Sequence, residues 1–237
     1  FALPFMFFFF KEKLVWTTQP QLQFLRGLLL FFANILFFYS ISIISMAKAL
    51  TLAFVAPLIT TALSPFFLKE KVGIKRWSAV IIGFLGSLIV IRPGLVDLNL
   101  ATIAGLGTGF FYGIYLIVTR KLHTADNPLL TLLLTGVVGL FVGTFIVPFF
   151  WMNPSIHQWL LLSLMGIFAC LGHFFLILSL KHADASKLAP FAYFEIITNV
   201  ILGYYFFSDF PDYWTWIGLV IIIFSGIYIS FREQNIK

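Results

Sequence analysis

Charged residues and cysteine are both scarce in this sequence of 237 residues. Charged residues make up 10% of the chain, and Cys170 is the only cysteine. Soluble globular proteins carry about 25% charged residues, so this composition excludes an ordinary water-soluble domain. A single cysteine excludes a disulfide framework, and no spacing of cysteine and histidine matches a zinc site. We therefore expect no metal and no cofactor.

Apolar residues take the place of the missing charge. They make up 61% of the chain, and the mean hydropathy is +1.03. Several runs approach the roughly 20 residues that a helix needs to cross a bilayer, which predicts an all-α polytopic membrane protein. In addition to an apolar stub at 1–10, which we interpret as the end of an earlier helix, eight complete spans are predicted: 24–44, 49–68, 77–91, 98–119, 128–152, 159–180, 188–207 and 213–231.

The basic residues that produce the net charge of +6 are concentrated in short loops. If the spans alternate, 13 Lys and Arg residues fall on one side of the membrane and 2 on the other. An excess of Lys and Arg marks cytoplasmic loops, so we predict a cytoplasmic C-terminus in the inner membrane of a bacterium. Loop charges of this kind set orientation, and they give no reason to expect a nucleic-acid partner.

The chain contains an internal repeat at a shift of 139 residues. The inner basic loop at 69–76 corresponds to a loop around Asp209 on the outer side, so the two halves are predicted to be inverted. We predict two five-helix repeats, 1–97 and 98–237, in a protein of ten helices whose first helix and most of whose second are missing here. The identical pairs are Leu25/Leu164, Gly27/Gly166, Ser40/Ser179, Lys48/Lys187, Ala53/Ala192, Leu63/Leu202 and Phe67/Phe206.

The predicted span 188–207 carries a carboxylate, Glu195, near its middle. An acidic side chain at that depth costs about 2.5 to 3.5 kcal/mol to insert, so it needs a function or a partner. Helical spacing places Ala192, Asn199 and Gly203 on the same face as Glu195. This face should therefore border protein or water, and not lipid.

Other polar residues lie deep in the predicted spans. Asn34 corresponds to His173 in the repeat, and Thr60 lies on the span equivalent to that of Glu195. Three prolines are expected to break the helices of these two spans: Pro57, Pro65 and Pro190. The competing interpretation is that such groups make hydrogen bonds between helices, worth about 0.6 kcal/mol each. No catalytic and no metal-binding residue is expected, and the candidate substrate-binding residues are Glu195, Tyr193, Asn199, His173, Asn34, Thr60 and Tyr112.

Two spacings have simpler explanations than chemistry. Gly105, Gly109 and Gly113 recur every four residues, which predicts a helix face that allows close backbone approach, and Gly139 and Gly143 are interpreted in the same way. Cys170 and His173 share a helix face, as a thiol nucleophile or a metal pair would. Without a third ligand, we interpret that pair as core packing.

Several short motifs resemble the EamA-like transporters of the drug/metabolite transporter superfamily, and the likeness extends over essentially the whole chain. It rests on Ala-Pro at 56–57, Leu-Lys-Glu at 68–70, Arg-Trp at 76–77, and Gly-Phe-Leu-Gly at 83–86, with Ile-Arg-Pro-Gly at 91–94. In the second half it rests on 189–195, 207–211 and 225–228, ending at Arg-Glu at 232–233. The sequence departs from the family pattern at Ile196, often Pro, and at Asp209, often Glu.

The resemblance implies ten helices, cytoplasmic termini, export or uptake of small metabolites, and a central cavity that includes Glu195 and Tyr193. Within the family, 25–32 and 189–195 are similar to the branch that includes S-adenosylmethionine carriers. This local similarity does not choose among an amino acid, an amine and an S-adenosylmethionine-like solute.

We therefore predict a secondary transporter that moves a small metabolite across the cytoplasmic membrane by alternating access, with proton coupling through Glu195 as a further hypothesis. The expected partners are a small-molecule substrate and the lipid bilayer, and homo-oligomerisation is left open. An intramembrane enzyme that uses Glu195 and His173 as acid and base is one alternative, but only one carboxylate lies deep in a span. A membrane scaffold is another, and it would not explain polar residues converging from both repeats.

Overall fold

The computed structural model describes residues 17–44, 46–91 and 99–207, together with 213–214, 216–218, 220–221, 224–225 and 228. The predicted all-α fold is confirmed, because the described residues contain helices and no strand. The α-helices are α1 (Pro20–Ile41), α2 (Met46–Ala53), α3 (Ala56–Phe67), α4 (Ile74–Ile91), α5 (Leu100–Lys121), α6 (Pro128–Ile146), α7 (Ile156–His182), α8 (Ala185–Leu188) and α9 (Phe194–Phe207). Val147–Phe150 and Ala189–Tyr193 form 3₁₀ helices.

Four helical segments of the described chain are long and apolar enough to cross a membrane. They are α1, α5, α6 extended by its 3₁₀ helix, and α7. Local sequence fixes where two of them begin. The Asn127 side chain accepts a hydrogen bond from the amide of Leu129 at the start of α6, and Ser155 and Gln158 form a capping box at the start of α7. Such caps satisfy amides that have no partner inside the helix.

Two predicted spans are interrupted near Pro57 and Pro190, as expected, whereas the break expected at Pro65 is absent because that residue lies inside the continuous helix α3. The span 49–68 is divided into α2 and α3 by a turn at 54–55, and Pro57 lies in the first turn of α3. The span 188–207 is divided into α8, the 3₁₀ helix Ala189–Tyr193 and α9, with Pro190 inside the 3₁₀ helix. Proline has no amide hydrogen and is tolerated in a first turn, so Pro57 and Pro190 each mark a place where a helix restarts.

The glycine face of α5 packs against the first of these two breaks. A Cβ atom built on Gly109 would lie 2.4 Å from the carbonyl oxygen of Ala53, and one on Gly113 would lie 2.8 Å from Cβ of Ile59. Only glycine allows this approach, which confirms the interpretation of the α5 glycines. The interrupted backbone at 54–55 therefore lies against α5. Irregular backbone is tolerated at membrane depth where it is buried against protein in this way.

The same interpretation was wrong for Gly139. In α6, a Cβ atom on Gly139 would meet no described atom within 4 Å, and one on Gly143 would lie 3.8 Å from the Phe31 ring, an ordinary contact. Among the described residues, α6 is approached closely at Val138 instead, where a Cβ atom built on Gly27 of α1 would lie 2.5 Å from Cβ of Val138.

The chain forms two compact units, each made of separate segments. One unit comprises 1–31 and 118–183, and within it α6 packs against α7. The other comprises 32–117 and 184–237, and within it α3 packs against α4, α8 and the 3₁₀ helix Ala189–Tyr193. This second unit contains both helix breaks and all but one of the candidate substrate-binding residues.

Candidate substrate-binding site

Glu195 lies at the start of α9, directly after the 3₁₀ helix, and its side chain is exposed. The prediction placed Glu195 near the middle of the span 188–207, and the interruption at Ala189–Tyr193 makes it the second residue of α9. The Phe191 and Phe194 rings stack across the junction with centroids 6.2 Å apart. A carboxylate in the first turn of a helix interacts favourably with the partial positive charge of the helix N-terminus. The break therefore places Glu195 in the first turn of α9.

Asn199 lies one turn further along α9. Its Nδ2 donates a hydrogen bond to the backbone carbonyl of Glu195, 2.9 Å away, and the side chain is half-buried. An amide NH₂ group has two donors, so this bond leaves further hydrogen-bonding capacity on Asn199. Tyr193 ends the 3₁₀ helix, but its side chain lies outside the described residues.

Thr60 lies in α3 and is fully buried. Its hydroxyl donates to the carbonyl oxygen of Gly113 at 3.3 Å, which ties α3 to α5. Ser64, one turn further along, donates to the carbonyl oxygen of Thr60 at 2.8 Å. Because α3 also packs against the 3₁₀ helix Ala189–Tyr193, Thr60 belongs to a helix that borders the segment leading to Glu195.

Tyr112 adjoins the residue that Thr60 contacts. Its ring is half-buried and stacks on Tyr115, with ring centroids 5.4 Å apart and planes inclined by 20°. Tyr112 therefore lies on the helix to which Thr60 is hydrogen-bonded, one residue before the carbonyl that accepts this bond. Asn34 lies on an exposed face of α1 in the same unit, and His173 is half-buried on α7 in the other unit.

Sequence reasoning missed a buried polar cluster around Arg26. Arg26 is one of the 13 Lys and Arg residues predicted on the inner side, whereas the structure places it inside α1 with its side chain fully buried. Its Nε donates to Thr119 at 2.7 Å, and its Nη1 donates to Thr135 and to the carbonyl oxygen of Thr131. The number of inner loop charges that supports the predicted orientation is therefore smaller by one. The position of Arg26 inside the predicted span 24–44 was the feature of the sequence that could have indicated its burial.

A second cluster joins the loop after α3 to the start of α8. We call Glu70, Arg76, Asp184 and Ser186 the polar clamp. The Glu70 carboxylate accepts hydrogen bonds from the amides of Ala185 (2.9 Å) and Ser186 (3.0 Å) and from the Ser186 hydroxyl (2.6 Å). Arg76 donates to the same hydroxyl at 2.9 Å and lies 3.8 Å from the Asp184 carboxylate. The two halves of the clamp lie more than 100 positions apart, and no periodicity in the sequence connects them.

Apolar spans, two helices interrupted at prolines, and polar residues beside the interruptions are the features of a membrane carrier. The model of the EamA-like transporter family matches residues 1–92 and 99–232. The chain therefore belongs to this family, as its motifs predicted. Family membership also decides among the classes of protein considered above: the chain is a transporter and not an enzyme, and it is a multi-pass membrane protein.

Individual relatives agree with this class. The chain is 31% identical to an S-adenosylmethionine uptake transporter of Rickettsia felis, with 98% of this chain and 79% of the relative covered. It is 32% identical to a riboflavin transporter of Vibrio cholerae, with 80% and 66% covered. One solved crystal structure superposes with a TM-score of 0.81 at 14% identity, covering 98% of this chain and 84% of that one, which shows the shared fold. These relatives support a transporter of small metabolites.

Proposed function

We propose that the chain carries a cationic or zwitterionic metabolite, of the S-adenosylmethionine type, by alternating access between two inverted repeats at 1–97 and 98–237. One observation carries this proposal, namely the pair of helix breaks. The repeat shift of 139 residues brings α2, Met46–Ala53, onto 185–192 and brings Ala56, the first residue of α3, onto Glu195. Discontinuous helices at equivalent positions of two repeats are typical of transporter binding sites.

The two breaks differ in charge, and this difference favours a cationic group on the substrate. The first residue of α3 is Ala56, which is buried and uncharged, whereas the equivalent position in α9 is the exposed Glu195. A single carboxylate at such a break would attract an amine or a sulfonium group. Asn199, bonded to the Glu195 backbone, is placed to orient the same substrate.

The names of the relatives suggest two substrates to compare. S-adenosylmethionine carries a sulfonium and an amine, which would interact with Glu195. Riboflavin has no permanent positive charge, so its transport would not require a carboxylate at this position. Both molecules have a planar ring system that could stack on Tyr112, and this residue therefore does not discriminate between them.

Uptake of labelled S-adenosylmethionine and riboflavin by vesicles that contain the protein tests the proposal. We expect saturable uptake of the cation, competition by other amine-bearing metabolites, and a sharp loss of activity in Glu195→Gln, which keeps volume but removes the charge. Asn199→Ala should raise KM and retain the pH dependence, since Asn199 carries no titratable proton. Wild-type uptake by Glu195→Gln with an unchanged pH profile would exclude Glu195 from binding and from proton coupling.

A further inference from the structure

The polar clamp connects segments that belong to different repeats in the proposed arrangement. Glu70 and Arg76 lie in 1–97, and Asp184 and Ser186 lie in 98–237. Asp184 is the N-cap residue of α8, but its own side chain makes no capping bond and instead pairs with Lys187 at 3.0 Å. Glu70 caps the helix instead, because its carboxylate accepts hydrogen bonds from the amides of Ala185 and Ser186, the first two residues of α8. One repeat thus supplies the cap of a helix in the other.

Local backbone geometry holds Glu70 in this position. Lys69 adopts a left-handed conformation with φ of 57°, which is unusual for a residue with a side chain. This conformation turns the chain directly after α3 and lets the amide of Glu70 donate to the carbonyl oxygen of Ser64 at 3.4 Å. Arg76, in the first turn of α4, then joins Ser186 to the carbonyl oxygen of Lys71. These bonds hold the loop after α3 in the conformation that places Glu70 against the start of α8.

We infer that the polar clamp is a gate that is closed in this structure and must open once in each transport cycle. The inference rests on the proposed alternating access. The segment that begins at Asp184 continues through α8 and the 3₁₀ helix into α9, so the clamp anchors one end of the broken helix that carries Glu195. If the two repeats move relative to each other, the bonds from Glu70 to Ala185 and Ser186 must break. Charge-assisted bonds of this kind are strong enough to hold one state closed until substrate binding favours the other.

A gate and a permanent structural contact predict different responses to Glu70→Gln. This variant removes the charge and one acceptor while keeping the size of the side chain. If the clamp is a gate, the variant should increase thiol accessibility only near the clamp and only from the side of the membrane on which the clamp lies. If the clamp is a permanent structural contact, accessibility should increase throughout the protein. Ser64 and Ser40 offer a matched pair of reporters, because both are fully buried serines in the same unit. Ser64 lies beside the clamp at the end of α3, and Ser40 lies at the end of α1, next to the start of α5.

The first experiment measures labelling of Ser64→Cys and Ser40→Cys by a membrane-impermeant thiol reagent, in a Cys170→Ser background and from each side of the membrane. In Glu70→Gln we expect labelling of Ser64→Cys to rise about tenfold from the side of Lys71, a change that the loss of one charge-assisted bond can produce. Labelling of Ser40→Cys should stay at its original rate. Equal increases at both positions, or no increase at either, would overturn the gate.

The second experiment locks the clamp. Glu70→Cys combined with Ser186→Cys is joined by a short thiol-reactive cross-linker, and solute uptake is compared before joining, after joining and after reductive release. We expect joining to stop uptake and release to restore it. Uptake that continues at the unlinked rate in fully joined protein would show that the clamp never opens. If the wild-type protein moves no solute at all, the proposed function fails, and the labelling experiment still reports whether the contact opens.

Discussion

Because α5 packs closely against the broken helix, the same substitution should change the free energy of unfolding in opposite directions at two glycines. Gly109→Ala and Gly139→Ala add the same methyl group inside a helix. On helix propensity alone, each change should stabilise the helix by about 1 kcal/mol. At Gly139 a new Cβ atom meets no described atom within 4 Å, so the propensity gain should remain.

At Gly109 the new Cβ atom would lie 2.4 Å from the carbonyl oxygen of Ala53 and 2.5 Å from Cγ1 of Val55. Both distances are about 1 Å shorter than an ordinary contact, so α5 and the segment around the break must separate. Overpacking of this kind costs about 1 to 3 kcal/mol, and the Ala53 oxygen belongs to backbone that cannot rotate away. We therefore expect a net destabilisation of about 1 to 2 kcal/mol in Gly109→Ala, compared with a small stabilisation in Gly139→Ala.

Reversible unfolding in mixed detergent micelles, followed by helical circular dichroism, measures the free energy of unfolding of each variant. Gly109→Ala should also lower the maximal uptake rate, because the break that it displaces belongs to the proposed site, whereas Gly139→Ala should leave uptake unchanged. If both variants shift the free energy of unfolding in the same direction by the same amount, the close approach of α5 to the break is refuted.

Three further predictions concern the rest of the chain. Arg26→Lys keeps the charge but loses the guanidinium fork that reaches three acceptors, so we expect a loss of roughly 2 to 3 kcal/mol in the same unfolding assay, and an unchanged value would contradict the role of these bonds. Ser155→Ala removes the capping box of α7 and should cost about 1 kcal/mol, which a thermal melt would detect as a lower Tm. Cysteines placed at Lys71 and His123 should react only with cytoplasmic reagents and one at Asn153 only with external ones; labelling of His123 and Asn153 from the same side would mean that a span has been miscounted.

Much of the fold could be predicted because the bilayer imposes strong rules on sequence. Long apolar runs indicated α1, α5, α6 and α7, since a chain in hydrocarbon must satisfy its backbone hydrogen bonds within helices. The glycines of α5 revealed a packing face because their spacing of four is a local property of one helix. The order of the short motifs indicated the family before any three-dimensional information was used.

The candidate site was predicted less completely. The sequence pointed to the helices of Thr60 and Glu195, and breaks in them were predicted at Pro57, Pro65 and Pro190. Which of the three prolines interrupts a helix did not follow, because a proline is compatible with both a bend and a break, and α3 continues through Pro65. Only the structure shows that α9 begins at Phe194, directly after a 3₁₀ helix, so that Glu195 lies in the first turn of α9.

The sequence by itself determined that this protein is an all-helical membrane transporter of the EamA-like family, since hydropathy, loop charge and local motifs are read from neighbouring residues. The tertiary structure alone decided which distant polar groups meet. Arg26 lies among threonines of α5 and α6, and Glu70 caps a helix that begins 115 residues later. Such pairings depend on how helices pack after they have formed, and a hydrogen bond between residues far apart in the chain leaves no periodic signal in either segment.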